Sequence, residues 1–115
     1  MSKVKLHGIS NCDTVRKTKK WLDTNKVDYK FIDFRKDGIE KSDVQRWVEQ
    51  ASLDKVLNKR GTTWRKLSEN QQNFKSEEEA ITLLHREPTL IKRPVLEFDE
   101  KIEIGFDETN YKAIF

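Results

Sequence analysis

The sequence predicts an α/β fold with a mixed sheet, in which a mostly helical insertion at about residues 40–87 separates a βαβ half from a ββα half. Three observations predict this class. Strand-like and helix-like apolar patterns alternate up to Phe34, the middle carries apolar residues at helical spacing, and two short strand-like segments precede a last helix. The length of 115 residues fits one domain, so we expect a single domain over residues 1–115.

The first half is predicted to be a βαβ unit. A short strand covers residues 4–7, and a helix follows from Asp13 to about residue 26, with Asn11 or Asp13 as its cap. A second strand at residues 27–34 has apolar residues on both parities, so we expect it to be buried on both faces. A strand, a helix and a strand in this order form a parallel pair with a right-handed crossover.

The middle of the chain is predicted to be helical. Ser42 is placed to cap a first helix, and a short helix follows over residues 53–57. Ser76 and Glu79 match the Ser-x-x-Glu capping box, which predicts a further helix that ends before Pro88.

The end of the chain is predicted to be a β-hairpin followed by a helix. Strand-like segments at residues 95–98 and 101–104 flank an Asp99-Glu100 turn, and Asp107 is placed to cap the last helix. Without the middle helices, the order β-α-β and then β-β-α is the plan of thioredoxin-like proteins.

Composition excludes several classes of protein. The 23 basic and 20 acidic residues nearly balance, and three Trp, six Phe and two Tyr argue against disorder. No apolar run approaches the ~18 residues of a membrane span, and the N-terminal segment lacks a secretory-signal pattern. The one cysteine excludes an intramolecular disulfide and, with two histidines, argues against a structural zinc site; we expect no metal.

Cys12 is the first candidate for chemistry. It follows a strand and a loop at the start of a predicted helix, where the free N–H groups and the helix dipole stabilise a thiolate. Arg16 lies one turn further on and adds positive charge, which favours a lowered pKa and a nucleophilic sulfur. The alternative is a buried, inert cysteine. Val15 stands where a second cysteine would form a redox pair, so a two-cysteine switch in this loop is excluded.

Arg60 and Arg93 are candidates for anion binding. Arg60 stands in a loop before Gly61, and Arg93 precedes Pro94 at the start of a predicted strand. Two guanidinium groups on loops can clamp an oxyanion or a carboxylate. The alternative is two solvated surface arginines. Since only about one X–Pro bond in twenty is cis, the residues alone favour a trans Pro94.

The histidines and two tryptophans are interpreted as structural. His7 is either a partner of the thiolate or, as we expect, a strand residue that faces mostly solvent. His85 stands near a predicted helix end, where it can interact with the C-terminal carbonyl groups. Trp21 and Trp47 lie at core spacing on their helices, which indicates packing.

Three separated segments resemble the arsenate reductase/Spx-like family of the thioredoxin superfamily, and most closely its YffB-type branch. They are GISNCDTVRK at residues 8–17, LNKRGTTWRKL at residues 57–67 and IKRPV at residues 91–95. The resemblance covers nearly the whole chain. It implies a thioredoxin-like fold, a bacterial and cytoplasmic protein, and a cis Arg93–Pro94 bond.

The resemblance also implies chemistry. In the family's arsenate reductases, a cysteine that matches Cys12 attacks arsenate, glutathione forms a mixed adduct, and glutaredoxin restores the thiol. Three arginines serve the oxyanion there. Arg93 matches one of them, whereas Asn58 stands at the second position, with Arg60 two residues on, and the third falls near Phe106.

The main hypothesis is therefore a glutathione-dependent thiol or arsenate-type reductase, an oxidoreductase with glutathione as co-substrate and no bound cofactor. Glutaredoxin is an expected partner, and the substrate is a small oxyanion or a thiol. With one cysteine, the intermediate is a mixed disulfide with glutathione. The residues assigned to the site are catalytic Cys12 and Arg16, and anion- and glutathione-binding Arg60, Arg93, Pro94 and Asn11.

Spx-like members of the family provide the competing hypothesis. They are regulators that bind the C-terminal domain of the RNA polymerase α subunit, and their switch is a Cys-x-x-Cys pair that Val15 removes here. The alternative is thus a non-catalytic module that binds RNA polymerase or another protein. Direct nucleic-acid binding ranks last, because the net charge is only +3 and the two signs are interleaved.

Overall fold

A computed structural model describes residues 4–115 and divides the chain into two units. The first unit comprises the described residues up to Gly38 together with Arg93–Phe115, and it contains the sheet. The second unit, Ile39–Lys92, contains helices. The predicted insertion at about residues 40–87 falls inside the second unit, while the expectation of a single domain stays a prediction.

A mixed sheet and two helices form the first unit. The elements are β1 (Val4–Gly8), α1 (Asp13–Thr24), β2 (Tyr29–Asp33), β3 (Val95–Phe98), β4 (Lys101–Ile104) and α7 (Glu108–Ile114). β1 pairs in parallel with β2 and antiparallel with β3, and β3 pairs antiparallel with β4, so the strand order is β2-β1-β3-β4. The predicted α/β class, with a mixed sheet and a thioredoxin-like plan, is confirmed.

The core of the first unit lies against one face of this sheet. Alternation along β1 turns Val4 and Leu6 to that face, since successive strand residues point to opposite sides. α1 buries Val15, Thr18 and Leu22, which recur at three- and four-residue spacing. The buried cluster consists of Val4, Leu6, Leu22, Leu96 and Tyr111.

β2 differs from its prediction. It is an edge strand over Tyr29–Asp33, and Tyr29, Phe31 and Ile32 are only partly buried. An edge strand has a neighbour on one side alone, so its side chains are more accessible to solvent than those of an interior strand. Part of the cover for Phe31 comes from Lys19, whose Nζ lies 3.5 Å from the ring centroid.

The predicted hairpin of β3 and β4 is confirmed. Its turn residues, Asp99 and Glu100, have φ values of 46° and 62°. Two left-handed residues give a turn whose twist matches that of the strands it joins.

The second unit consists of α-helices and one short 3₁₀ helix. They are α2 (Lys41–Ala51), α3 (Leu53–Val56), α4 (Thr62–Lys66), α5 (Glu69–Gln72), α6 (Glu77–Arg86) and the 3₁₀ helix at Pro88–Leu90. α2 packs against α6 and α3 and buries Val44, Trp47 and Val48. α4 and α5 are additional to the helices that the sequence predicts.

The helix caps partly follow the predictions. Ser76 and Asp107 cap α6 and α7, each accepting the backbone N–H three residues on. The prediction for α2 is wrong, because Glu40 rather than Ser42 is the cap. Asp43 accepts the backbone N–H of Glu40 at 3.1 Å and so closes a capping box.

His85 lies in the last turn of α6, as predicted, but its partner differs from the prediction. Its Nε2 is 3.1 Å from the carbonyl oxygen of Ile39, so it joins the end of α6 to the segment before α2 rather than capping its own helix. In residues 4–115, the helices are all too short or too polar to cross a bilayer.

Candidate active site

Cys12 lies where the loop after β1 enters α1. It is the N-cap residue, with φ −89° and ψ 128°, and its side chain is partly exposed. Its carbonyl oxygen accepts the N–H of Arg16 at 3.0 Å, which is the first bond of the helix. The cap is therefore Cys12 itself, not Asn11 or Asp13 as predicted. The sulfur consequently faces the free N–H groups of the helix start.

The pKa of the Cys12 thiol is lowered from its usual value of 9.0. Partial burial raises the pKa, but the backbone N–H groups of Val15 and Thr14 and the guanidinium of Arg93 outweigh that effect. Arg93 acts both through a hydrogen bond to the sulfur and through its charge. Cys12 is thus a thiolate at lower pH than an ordinary cysteine, and the thiolate is the nucleophilic form.

Arg93 reaches this sulfur because of the sheet pairing. His7 lies opposite Val95 in the antiparallel β1–β3 pair, so the residues before Val95 lie at the end of the sheet where β1 leads into the Cys12 loop. The Arg93–Pro94 bond is cis, as the family resemblance implies. Pro94 is buried, and its carbonyl oxygen accepts the N–H of Gly105 at 2.8 Å. The segment that carries Arg93 is therefore tied to the sheet.

Arg16 is occupied by the loop rather than by the sulfur. Its guanidinium donates to the Asn11 carbonyl oxygen at 2.9 Å and pairs with the Asp13 carboxylate at 3.1 Å. The sequence assigns the support of the thiolate to Arg16, whereas the arginine that lowers the pKa of Cys12 in the structure is Arg93. A catalytic role for Arg16 and a binding role for Asn11 stay predictions.

Arg60 belongs to the second unit. It is exposed, and its backbone N–H donates to the Asn58 Oδ1 at 3.0 Å, in the turn that precedes α4. Its predicted part in binding an anion or glutathione stays a prediction.

His7 is buried, contrary to the prediction that it faces mostly solvent. Only 3% of it is exposed, and its Nε2 lies 2.8 Å from the Glu97 Oε1. β1 lies between β2 and β3, and a side chain on an interior strand is shielded by both neighbours. The interior place of β1 follows from the strand order, which the local sequence pattern does not reveal.

Asp33 is a second buried polar residue that the sequence reasoning missed. It ends β2 and is 4% exposed, yet its pKa is lowered. Burial raises the pKa, but hydrogen bonds outweigh it: the backbone N–H groups of Arg35 at 2.8 Å, Lys36 at 3.2 Å and Ser10 at 3.2 Å donate to the carboxylate, and so does the Ser10 hydroxyl. The available signal was an acidic residue at a predicted strand end beside a turn.

Gly8 allows the close approach of β1 to α1. A Cβ at this position would lie 2.7 Å from Cγ2 of Val15, a β-branched residue in the first turn of the helix. Any larger residue would push the strand end away from the helix that carries Cys12 at its start.

Comparisons with known proteins agree with this architecture. The model of the ArsC family matches residues 7–114. The solved structure of a YffB protein is 42% identical, covers 96% of each chain and has a TM-score of 0.92. The solution structure of an arsenate reductase (ArsC) related protein from Brucella melitensis is 37% identical, covers 96% of this chain and 92% of its own, and has a TM-score of 0.76.

The chain is also similar to a transcriptional regulator. The global transcriptional regulator Spx 2 of Bacillus anthracis is 25% identical over 108 residues, which are 91% of this chain and 81% of that protein. The family match includes Cys12 and Arg93, the two residues that the structure brings together. The chain therefore belongs to the ArsC family, in which it is similar to a YffB protein and has Spx regulators among its relatives.

Proposed function

We propose that this protein is a glutathione-dependent thiol or arsenate-type reductase with Cys12 as its nucleophile. The observation that carries the proposal is the lowered pKa of a partly exposed cysteine at a helix start, with the Arg93 guanidinium on its sulfur. A thiolate is the reactive form in thiol–disulfide exchange. Membership of the ArsC family supports a redox reaction of this kind.

The reaction follows from the chemistry of one thiolate. The Cys12 sulfur attacks a sulfur of a glutathione mixed disulfide, forms a Cys12–glutathione disulfide and releases the substrate as a thiolate. The thiolate of a second glutathione then attacks this disulfide, which gives oxidised glutathione and returns Cys12 to the thiolate form. Each turnover thus oxidises one glutathione thiol, reduces the mixed disulfide to the free substrate thiol and releases one oxidised glutathione. A glutaredoxin can replace the second glutathione as the resolving partner.

Arg93 has two roles in this proposal. Before the reaction it stabilises the thiolate. Once the sulfur is bonded to glutathione, its guanidinium is released to hold a carboxylate of the peptide or an oxyanion. Since the reaction consumes reduced glutathione, we place it in the reducing cytoplasm.

Disulfide exchange is preferred over the reduction of arsenate. Phe106 stands near the position of one oxyanion-binding arginine, and its ring packs 4.9 Å from that of Tyr111 and 6.4 Å from that of Trp21. An aromatic cluster offers an oxyanion no charged donor. With an oxyanion substrate, the same sulfur would attack the central atom and water would leave, with fewer arginines to stabilise the charge.

The Cys12→Ser variant is expected to lose glutathione-dependent reduction of a small mixed disulfide, because a serine hydroxyl does not form a disulfide. The rate is measured as the loss of NADPH absorbance, because added glutathione reductase consumes NADPH as it reduces the oxidised glutathione that the reaction forms. Mass spectrometry of the wild-type protein should show the glutathione adduct on Cys12. Lys17→Ala is the matched control, since it changes an exposed side chain near the start of α1 and keeps the sulfur. Turnover that survives in Cys12→Ser would exclude this mechanism.

A binding module is the second candidate. The observation that favours it is the similarity to Spx 2 over most of the chain. This candidate predicts binding to the C-terminal domain of the RNA polymerase α subunit that is equal for wild type and Cys12→Ser. Titration calorimetry with the purified domain decides between the two candidates, because the reductase predicts no heat of binding.

A further inference from the structure

We propose that Asp33 is a positioning residue of the Cys12 site: its buried carboxylate ties the Ser10 amide, and with it the loop that ends at Cys12, to the end of β2. The proposal rests on the proposed function in that it takes Cys12 to be the reacting group. It extends that function to a residue that does not touch the sulfur.

The loop from Gly8 to Cys12 is held by hydrogen bonds at every residue. The Gly8 carbonyl oxygen accepts the N–H of Phe34 at 2.8 Å, and the Ile9 carbonyl oxygen accepts that of Cys12 at 3.1 Å. The Asn11 carbonyl oxygen accepts from the Arg16 guanidinium. The Ser10 N–H donates to the Asp33 Oδ2 at 3.2 Å, and the Ser10 hydroxyl donates to the same carboxylate.

These hydrogen bonds differ in the part of the structure to which they attach the loop. The bond between Ile9 and Cys12 lies within the loop, and Arg16 bonds the loop to the helix that follows it. The Ser10–Asp33 bond joins the loop to another strand, beside the Phe34–Gly8 bond at the same strand end. Asp33 therefore anchors the middle of the loop to the sheet from outside.

A buried carboxylate needs a reason in a small domain, because removing a charge from water is costly unless donors replace the water. To cap the turn that follows β2, the Asp33 carboxylate needs only one of its two oxygens. Oδ1 already performs that role, since it accepts both the Arg35 and Lys36 N–H groups. The other oxygen, Oδ2, accepts the Ser10 N–H, and this bond connects Asp33 to the Cys12 loop.

The variant Asp33→Asn separates the two uses. The amide oxygen can keep the bonds to Arg35 and Lys36, but the amide NH₂ then faces the Ser10 N–H, donor against donor. Losing a negative charge near Cys12 would by itself favour the thiolate and lower the pKa of the thiol. Displacement of the loop has the opposite sign, because it moves the sulfur away from the N–H groups of the helix start.

We therefore expect Asp33→Asn to slow the alkylation of Cys12 at neutral pH by about threefold or more, which corresponds to a rise of about half a unit in its pKa. Alkylation rates are measured across pH, with circular dichroism as the check of folding. Asp37→Asn is the matched control, because it removes one charge from the same turn and can still accept the Asp33 N–H through its amide oxygen. The control should leave the pKa of Cys12 unchanged or slightly lower.

The outcomes are distinct. A folded Asp33→Asn protein with unchanged or faster alkylation overturns this inference and leaves the proposed function intact. An ordinary pKa for Cys12 in the wild-type protein overturns both. Should Asp33→Asn fail to fold, hydrogen exchange of the wild-type Ser10 amide decides: protection supports the anchor, and exchange at the rate of an unstructured peptide refutes it.

Discussion

Replacing Arg93 with methionine is expected to slow the alkylation of Cys12 at neutral pH by about tenfold, because a nearby opposite charge lowers a pKa by about a unit or more. Arg93 lowers the pKa of Cys12 both by a hydrogen bond and by its charge. Methionine keeps much of the volume of the side chain and removes both effects. The N–H groups of Val15 and Thr14 still favour the thiolate in this variant, so only the contribution of Arg93 is lost.

Arg16→Met is the control for this experiment. Arg16 lies in the first turns of α1 and carries the same charge as Arg93, but it is bound to Asn11 and Asp13 and its side chain is 59% exposed. Its loss should change the pKa of Cys12 much less than the loss of Arg93. If Arg16→Met had the larger effect, the assignment of thiolate support to Arg93 would be wrong and the simpler expectation from sequence would be right.

Truncating Trp47 is expected to cost about 4 kcal/mol of the free energy of unfolding, as is typical of a fully buried aromatic residue. Trp47 on α2 is 0% exposed and lies between Val44 and Val48, where α2 packs against α6. Alanine would leave a cavity that the surrounding helices fill only in part. A loss of this size is a large fraction of the stability of a small domain.

Urea unfolding followed by far-ultraviolet circular dichroism measures this change, since it does not depend on tryptophan emission. Trp64→Ala is the matched control in the same unit, because Trp64 is only partly buried and its truncation should cost no more than about 2 kcal/mol. Equal losses in the two variants would show that Trp47 is not the centre of the helical core.

The sequence predicts those parts of the fold that rest on local patterns. The apolar spacing of Val15, Thr18 and Leu22 defines α1, and the alternation around the Asp99-Glu100 turn defines the hairpin. Cys12 was found in the same way, because a cysteine between a strand and a helix needs no distant partner to be recognised.

The features that the sequence missed depend on residues that are distant along the chain. Asp33 and Ser10 meet only because β1 and β2 end side by side. His7 and Glu97 meet because β1 and β3 pair. The role of Arg93 has the same origin, since it reaches the sulfur from a segment 81 positions further along the chain, whereas Arg16 is occupied by its near neighbours Asn11 and Asp13. A charged residue that is close to a cysteine in the sequence is therefore not always the one that changes the pKa of its thiol.

The most direct test of the account is the pKa of Cys12, measured from the pH dependence of its alkylation rate and of its thiolate absorbance, with Cys12→Ser as the blank. The folded-state pKa is lowered, so the account predicts a half-maximal rate at a pH below 9.0 and a thiolate that persists to that pH as the solution is acidified. A midpoint at or above 9.0 would contradict it, because the helix N–H groups and Arg93 would then not outweigh the effect of burial on the sulfur.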